Sequence, residues 1–507
     1  GDADGDGADN VAVGHKAMLA NVSPSKNVAI GDSAMRAMDG TANGIANCVA
    51  IGANAFFGNA DNTTTGPNGT VAIGKDALKD LTTATYSTAV GHQAMTQHTT
   101  GRANTALGYD AMAQSDGDAT AQDNVFVGAF AGGGTWAGAG IDANIGIGYT
   151  ALYGPMNGAN HNIAIGYESG HDVVGGDANV MVGSHTGEKL TSASGSVFLG
   201  KNAGGTLTTG NHNIAIGFYA LTGAVTTGNN NISIGPSSGV ALTSGRENIF
   251  MGSDAGAAVS TGIVNIGIGR NALKATTTGN GIVAVGHDAI STGDPDSDTV
   301  AFGNSALQNA AAGSLRNTAL GHQAGADHTT GDDNVYVGTN TGMQNRTGDG
   351  NTYVGSNAGE GVDNNSNSQN TAVGFKSLHV ITTGGSNVAI GNDSAASITD
   401  GHNNVAIGNN ALEAAASVGY AVAIGNDAMV NGNATAAADG TIAIGASAGA
   451  ALVSSEGTTA IGYRALANEN DGDYSTAIGY DALFTQEGTT GNVYNTAVGY
   501  HAGRLIS

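Results

Sequence analysis

The sequence predicts an all-β protein, a parallel β-solenoid (β-roll) of about 28 stacked coils. Three observations predict this fold class. One short motif recurs along nearly the whole chain. The residues inside the motif alternate as they do in a strand that is buried on both faces. The composition is rich in glycine and poor in charge, which suits a repetitive architecture better than an ordinary globular core.

The repeat is clearest when its copies are aligned on one glycine, called here the reference glycine. The motif joins an asparagine to this glycine four residues later, in pairs such as Asn10 and Gly14, Asn27 and Gly31, Asn213 and Gly217, and Asn404 and Gly408. From Gly14 to Gly499 there are 28 copies, and 17 of the 27 spacings equal 17 residues, while the others run from 18 to 22. A unit that accepts insertions but no deletions indicates a minimum contour for closing one coil.

The residues before the reference glycine have the pattern of a short strand. The residue just before it is always large and apolar, the residue three before it is Val, Ile or Thr, and the one between them is mostly Ala. A coil of about 17 residues, at roughly 3.3 Å per residue, encloses only a thin layer of side chains. We therefore expect one strand face to fill the coil. The other face, lined by alanines, should be covered by a neighbouring chain, which predicts an oligomer.

Stacking should join each coil to the next by parallel β hydrogen bonds about 4.8 Å apart, which gives 28 coils a length of roughly 130 Å. Asn occupies the position four before the reference glycine in 18 copies. Stacked asparagines should bond side chain to side chain and stabilise the array.

Four residues after the reference glycine stands either a large apolar residue or Gly, so two coil subtypes alternate irregularly along the chain. Loops with the sequence Thr-Thr-Gly supply turns.

Composition narrows the possible partners. The chain has a net charge of -25, which argues against binding nucleic acid. Its sole cysteine, Cys48, takes the place of the usual Asn in its coil, so we expect a small buried filler. No apolar run is long enough for a membrane-spanning helix in this chain.

We divide the chain into an acidic N-terminal segment, residues 1–9, and a continuous repeat array, residues 10–507. Because the first residue is Gly1, we expect a processed chain or a fragment.

The motif Asn-x-Ala-Ile-Gly-x-x-Ala resembles the head repeats of trimeric autotransporter adhesins, and the Thr-Thr-Gly loops resemble those of phage tail-fibre shafts. The resemblance covers essentially the whole chain. It implies a left-handed parallel β-roll in which three identical chains pack around a common axis. The general preference for right-handed crossovers would favour the other hand. The repeat unit here is longer than the usual head repeat, and a heptad stalk is not found.

Two groups of alternating aspartates are candidate calcium ligands, and no other cofactor is expected. The groups are Asp2, Asp4 and Asp6, and Asp294, Asp296 and Asp298. The first reads D-x-D-x-D-G, the opening half of a calcium loop, but Val13 stands where the closing ligand belongs. The alternative for both groups is a solvated acidic turn.

Aromatic and histidine residues are the candidates for surface contacts. Trp136, the only tryptophan, lies in an inserted loop, where it could stack on a sugar of a receptor or fill a gap beside the coil. Tyrosines recur just after the reference glycine and could form an outward stripe for recognition or pack on one another: Tyr109, Tyr149, Tyr167, Tyr463, Tyr480 and Tyr500. Histidines at the same position should be surface residues: His15, His92, His287 and His322.

These observations predict a structural or adhesive extracellular fibre and no enzyme, because no nucleophile stands in a motif with plausible catalytic partners. The expected molecule is a homotrimeric rod that presents a binding surface to a host or another surface, either as a cell-surface adhesin or as a phage tail fibre. Its partners would be other copies of itself and a receptor, glycan or protein. The alternative is a matrix or sheath subunit that assembles end to end into filaments. Ice binding and glycan cleavage are less favoured, because the threonines lie in irregular loops.

Overall fold

The computed structural model of the chain describes residues 9–19, 24–36, 45–58, 67–83, 85–114, 121–136, 140–223, 226–362, 365–430, 438–486 and 491–505. The chain divides into two compact units, Gly1–Asp254 and Ala255–Ser507, and each is described by itself. The described residues form short strands and turns and contain no α-helix. The predicted all-β parallel solenoid is confirmed, with about 26 turns. The hand of the coil and the number of chains stay predictions.

The described residues of the first unit form 14 strands of three residues each. They are β1 Val11–Val13, β2 Val28–Ile30, β3 Val49–Ile51, β4 Val71–Ile73, β5 Thr88–Val90, β6 Thr105–Leu107, β7 Val125–Val127, β8 Ile145–Ile147, β9 Ile163–Ile165, β10 Val180–Val182, β11 Val197–Leu199, β12 Ile214–Ile216, β13 Ile232–Ile234 and β14 Ile249–Met251. Each pairs in parallel with the next, and equivalent residues lie opposite one another, as Val11 does with Val28.

The second unit has the same organisation. Its strands are β15 Ile266–Ile268, β16 Val283–Val285, β17 Val300–Phe302, β18 Thr318–Leu320, β19 Val335–Val337, β20 Thr352–Val354, β21 Thr371–Val373, β22 Val388–Ile390, β23 Val405–Ile407, β24 Val422–Ile424, β25 Ile442–Ile444, β26 Thr459–Ile461, β27 Gly472–Asp473, β28 Thr476–Ile478, β29 Gly491–Asn492 and β30 Thr496–Val498. The two-residue strands β27 and β29 pair with each other, and the other strands of this unit pair in parallel and in register.

The turns of every coil reuse the same left-handed backbone conformation. The residue two after the reference glycine has a positive φ in each copy, whether it is Asn410 (φ 54), Lys376 (φ 55) or Tyr219 (φ 56). A left-handed conformation costs a non-glycine residue roughly 1–2 kcal/mol. A backbone hydrogen bond to the preceding coil accompanies it, as from Asn410 N to Asn392 O at 2.9 Å. Stacking therefore supports a conformation that an isolated coil would not favour.

The reference glycine is invariant because its backbone excludes a side chain. Gly321 has a φ of +143°, and a Cβ placed on it would lie 2.2 Å from the carbonyl oxygen of Gly338 in the next coil. The same relation joins Gly408 to Gly425, where that distance would be 2.4 Å. Consecutive reference glycines thus form a ladder in which the backbones of adjacent coils lie too close for a side chain.

The predicted asparagine ladder is confirmed. In the second unit the backbone N–H of Asn334 donates to Oδ1 of Asn317 at 2.9 Å, and its Nδ2 donates to the same oxygen at 3.0 Å. The Nδ2 of Asn334 also donates to the carbonyl of Gly348 at 2.9 Å, which closes the turn. The ladder runs without interruption through Asn317, Asn334, Asn351, Asn370, Asn387 and Asn404. Asn104, Asn124, Asn144, Asn162 and Asn179 repeat it in the first unit.

The interior of each coil is one thin layer of small and aliphatic side chains. In the coil of Gly74 the fully buried residues are Ala72 at the strand centre and Ala77, Leu78 and Leu81 in the following turn. In the other coil subtype Gly stands four after the reference glycine, which leaves room for a large side chain at the strand centre. Six coils combine the two in this way: Phe126 with Gly132, Met181 with Gly187, Phe198 with Gly204, Phe250 with Gly256, Tyr336 with Gly342, and Tyr353 with Gly359.

Candidate functional site

The most extensive candidate surface is an outward row of apolar side chains on each unit. In most three-residue strands the central residue is buried in the coil, and the residues before and after it are half-buried or exposed. Leu107 is 46% exposed, Phe302 is 52% exposed and Leu320 is 47% exposed. Because the strands pair in register, these side chains align from coil to coil, as Ile147 does with Ile165. We call this row the outward apolar face.

The sequence prediction of which face needs a partner was wrong. We expected the alanines at the strand centre to face a neighbouring chain, but Ala29, Ala164 and Ala406 are fully buried inside their own coils. The reason is the thinness of the interior, which admits a large residue at the strand centre only where Gly stands four after the reference glycine. The larger Val, Ile and Leu side chains are therefore on the outside.

A ladder of aromatic side chains lies beside this face in the first unit. The ring of His92 stacks on Tyr109 with centroids 5.4 Å apart, and Tyr149 stacks on Tyr167 at the same distance. Phe130 joins the two pairs by edge contacts with Tyr109 at 5.2 Å and with Tyr149 at 5.9 Å. The tyrosines are exposed along the ladder. The second unit has a shorter one, in which Tyr463, Tyr480 and Tyr500 stack at 5.0 and 5.3 Å. The predicted tyrosine stripe therefore points outward and also packs between coils.

A polar cluster near the end of the first ladder was not predicted. The imidazole Nδ1 of His185 lies 3.1 Å from Oε2 of Glu168 and 2.9 Å from Oε2 of Glu188. All three side chains are half-buried. Glu168 and His185 both stand two after a reference glycine in consecutive coils, so the repeat alignment alone would have placed them side by side.

Two further charged side chains, Lys189 and Asp172, lie beside this cluster. Lys189 Nζ lies 3.0 Å from Oε1 of Glu188 and 3.2 Å from Oδ2 of Asp172. The hydrogen bonds that the Lys189 ammonium donates to Glu188 and Asp172 raise the pKa of Lys189 above its usual range. Burial raises the pKa of Asp172, but the hydrogen bonds from His171 and Lys189 outweigh it, so that pKa lies below its usual range. Asp172 and Lys189 are therefore held as an ion pair beside Glu188.

Two of the three aspartates of the 294–298 group accept hydrogen bonds from different backbone N–H groups. Oδ1 of Asp294 accepts from the backbone N of Thr277 at 2.7 Å, and Oδ2 of Asp296 accepts from the backbone N of Gly313 at 3.0 Å. Asp298 stands at a left-handed turn position five before its reference glycine. Calcium binding by Asp294, Asp296 and Asp298 stays a prediction. Asp2, Asp4 and Asp6 lie outside the described residues.

Trp136 is not the exposed loop residue that a receptor contact would require. It is only 2% exposed, and its ring lies 5.8 Å from that of Phe126 in the same coil. An exposed indole, one of the two readings of this loop, is therefore wrong. Trp136 fills the interior, the alternative that the sequence had left open.

Cys48 is buried, as expected for a filler in the asparagine ladder. Its backbone N–H donates to Oδ1 of Asn27 at 2.9 Å, and its thiol donates to the carbonyl of Ala46 at 3.3 Å. Burial raises the pKa of the Cys48 thiol to about 11, so the reactive thiolate is scarce at neutral pH.

The four histidines expected at the surface are exposed: His15, His92, His287 and His322. Two others, His98 and His328, are buried seven residues after a reference glycine, where Leu190 and Leu207 stand in other coils. Desolvation lowers the pKa of His328, although the carbonyls of Gly331 and Asn345 act in the opposite sense. These two histidines belong to the interior and not to the surface row.

Within the described part of the chain, no helix has the length and apolar character needed to cross a lipid bilayer. No model of a known protein family matches the chain, and no curated protein sequence matches it either.

Proposed function

We propose that this chain is a structural, adhesive fibre protein that acts outside the cell. Three copies pack together through their outward apolar faces, and the resulting homotrimeric rod presents a binding surface to a host or to another surface. The owner of such a fibre would be a cell that displays it as an adhesin or a phage that carries it in its tail. The proposal assigns catalysis to no residue.

The outward apolar face is the observation that supports this proposal most. Monomeric soluble proteins rarely expose contiguous apolar patches larger than a few hundred Å². Here each of the strands β1–β14 adds two outward side chains to the row, most of them Val, Ile or Leu. The second unit has the same pattern, for example in Val300 and Phe302 on β17. A surface of this extent indicates a partner.

A second copy of the chain is the partner that fits this face best. The face repeats once per coil, at the spacing of adjacent parallel strands, about 4.8 Å. Another copy repeats at the same spacing, so contacts made in one coil recur in all the others. The net charge of -25 opposes close association of the charged loops and leaves the apolar face as the favourable contact. The motif resemblance to trimeric adhesin heads supports three chains.

Attachment would follow from repetition more than from any single strong contact. Three chains with many similar coils multiply weak contacts into avidity. The exposed rings of Tyr109, Tyr149 and Tyr167 are the candidate contacts with a receptor glycan or protein, because aromatic faces combine a large apolar area with a polar edge.

The test places a charge on the outward apolar face. The variant Leu107→Glu with Leu320→Glu introduces one carboxylate per unit at positions that are about half exposed. We expect light scattering to give the mass of one chain, 49.5 kDa, and attachment to receptor-coated surfaces to fall by at least about 10-fold through loss of avidity. The matched control is Gln114→Glu with Thr292→Glu, which adds the same charge in exposed loops after the turn. The control should keep the mass and the attachment of the unmodified chain.

Equal masses for the face variant and the control would contradict assembly through this face. Particles that grow end to end with concentration, and that the face variant does not disrupt, would instead support the matrix or sheath subunit.

A further inference from the structure

We propose that Glu168, His185 and Glu188 form a binding site for a divalent transition-metal ion of the zinc type, which links two adjacent coils. The site lies in the first unit, in the turns after β9 and β10, and is distinct from the outward apolar face. It does not depend on the proposed fibre function.

The geometry of the donor atoms supports such an ion. One ligand atom from each of the three residues lies within 4.8 Å of the other two. The Nδ1 atom of His185 is 3.1 Å from one carboxylate oxygen and 2.9 Å from the other. Ligands at about 2.0–2.2 Å from a tetrahedral zinc ion lie roughly 3.3 Å from one another, so a small outward movement of the side chains would seat the ion.

The charge of the cluster matches a divalent cation. The carboxylates of Asp172, Glu168 and Glu188 carry three negative charges, and Lys189 offsets one of them. With neutral imidazoles, two negative charges remain around Nδ1 of His185. A single N–H at that nitrogen cannot satisfy both nearby carboxylates equally, whereas an ion bound to all three groups neutralises the surplus.

Neighbouring residues already hold one of the ligands in place. Lys189 binds Oε1 of Glu188, which leaves Oε2 directed at His185, and Asp172 holds Lys189 from the other side. Contacts of this kind orient ligands and increase the affinity of metal sites. Glu168 and His185 are fixed by their turns, since both have left-handed backbones and both donate a backbone hydrogen bond to the preceding coil.

One side of the cluster opens into a surface pocket of about 310 Å³. His185 and Glu188 form one wall of it, and Asn202, Thr206 and Tyr219 add polar groups. Gly205, which stands where Glu188 stands one coil earlier, also lines the pocket and adds no side chain to it. A metal bound by three protein ligands would therefore keep at least one position open to water or to an oxygen-bearing ligand.

The donor set favours zinc and similar ions over calcium. One imidazole nitrogen with two carboxylates suits Zn²⁺ and its neighbours, whereas Ca²⁺ takes six to eight oxygen ligands. This separates the site from the aspartate groups that the sequence suggested for calcium.

The test uses the full chain, stripped with a chelator, and Zn²⁺ alone as the probe. Equilibrium dialysis with metal analysis should give one tightly held ion per chain. Glu168→Gln and His185→Gln should each weaken its binding by at least about 10-fold, because each removes a direct ligand. The matched controls are Glu247→Gln and His287→Gln. Glu247 is an exposed glutamate at a turn, and His287 has a single acidic neighbour, Asp288 at 3.1 Å. Both controls should bind zinc as the unmodified chain does.

A second measurement uses only the unmodified chain, so its result does not depend on whether the variants fold. Zn²⁺ should protect His185 from diethyl pyrocarbonate, as read by mass spectrometry of the peptide, while His287 stays reactive. The proposal would be overturned if the unmodified chain holds no zinc, or if zinc leaves His185 as reactive as His287. Equal zinc binding by His185→Gln would also overturn it. In each case the cluster is only a set of contacts between the imidazole and the two carboxylates.

Discussion

Two kinds of coil fill the same thin interior in different ways. In the coil of Gly74 the strand centre is Ala72, and Leu78 fills the space from the turn. In the coil of Gly200 the strand centre is Phe198, and the corresponding turn residue is Gly204. A Cβ on Gly204 would lie 2.8 Å from Cδ1 of Phe198, so the ring occupies the space that the leucine takes elsewhere.

The comparison shows that a large ring at the strand centre takes the place of the large side chain that stands four after the reference glycine in other coils. The same exchange recurs with tyrosine, since a Cβ on Gly342 would lie 2.4 Å from Cε1 of Tyr336. The ring of Tyr336 also takes space in the neighbouring coil. A Cβ on Gly325, which belongs to that coil, would lie 2.7 Å from Cδ2 of Tyr336. Large and small residues must therefore match within a coil and along the stack.

The largest expected effect comes from breaking the glycine ladder that both kinds of coil share. Gly321→Ala would force a Cβ to within 2.2 Å of the carbonyl oxygen of Gly338 at a φ of +143°. We expect a loss of about 4 kcal/mol or more in the stability of the flanking coils, because both backbone strain and a steric clash oppose it. Native-state hydrogen exchange measures that local stability. Ala326→Gly in the same coil is the control, and a similar loss there would contradict the role of the ladder.

The exchange between the two kinds of coil can be tested by a double-mutant cycle. Phe198→Ala should cost about 3–5 kcal/mol by leaving a cavity, and Gly204→Leu should cost about 1–3 kcal/mol by overpacking against the ring. The double variant recreates the Ala and Leu pair of the other coils, so it should lie within about 1.5 kcal/mol of the unmodified chain. Chemical unfolding with hydrogen exchange over β11 and β12 measures all three. Additive losses would show that the two positions do not share one space.

The asparagine ladder should show a smaller effect. Asn334→Ala removes the Oδ1 that accepts from the backbone N and from Nδ2 of Asn351. The buried N–H of Asn351 then loses its partner, at a cost of about 1–3 kcal/mol. Faster amide exchange at Asn351 and in the adjoining turn is the expected signal. Asn392→Ala, at an exposed turn position in another coil, is the control and should leave exchange at Asn351 unchanged.

The smallest effect is a pH dependence at a buried histidine. The unfolded chain protonates His328 near its ordinary pKa of about 6.5, while burial lowers the pKa in the folded state. Between these two pKa values the unfolded chain binds more protons, so stability falls as the pH decreases below about 6.5. His328→Leu should reduce that dependence, because leucine fills the same position in other coils. His322→Leu, at an exposed position, should leave it unchanged. Thermal melting across this pH range compares the two.

The sequence predicted the repeating features of the fold because a single glycine aligns every copy. The strands, their register and the asparagine ladder follow from residues that recur, such as Asn317 and Gly321. The turns did not follow, because unrelated residues such as Lys376, Asn410 and Tyr219 share one left-handed conformation that only the stack supports. The sequence prediction exchanged the inward and outward faces of the strand, because both faces are apolar and they differ only in the size of their side chains.

The candidate sites were harder to predict than the fold. Trp136 stands in an insertion, which suggested exposure, but its ring is buried beside the ring of Phe126. The cluster of Glu168, His185 and Glu188 was not predicted, because the candidate histidines all stand directly after a reference glycine, whereas His185 stands two after one. Comparing the residues two after that glycine in consecutive coils would have found two of its three members.

The central claim is that copies of this chain associate through their outward apolar faces. Sedimentation equilibrium of the full chain, measured over a wide range of protein concentration, tests it most directly. We expect a constant mass of three times 49.5 kDa. A single chain of 49.5 kDa at every concentration would contradict it, because the apolar face would then be exposed to water with no partner.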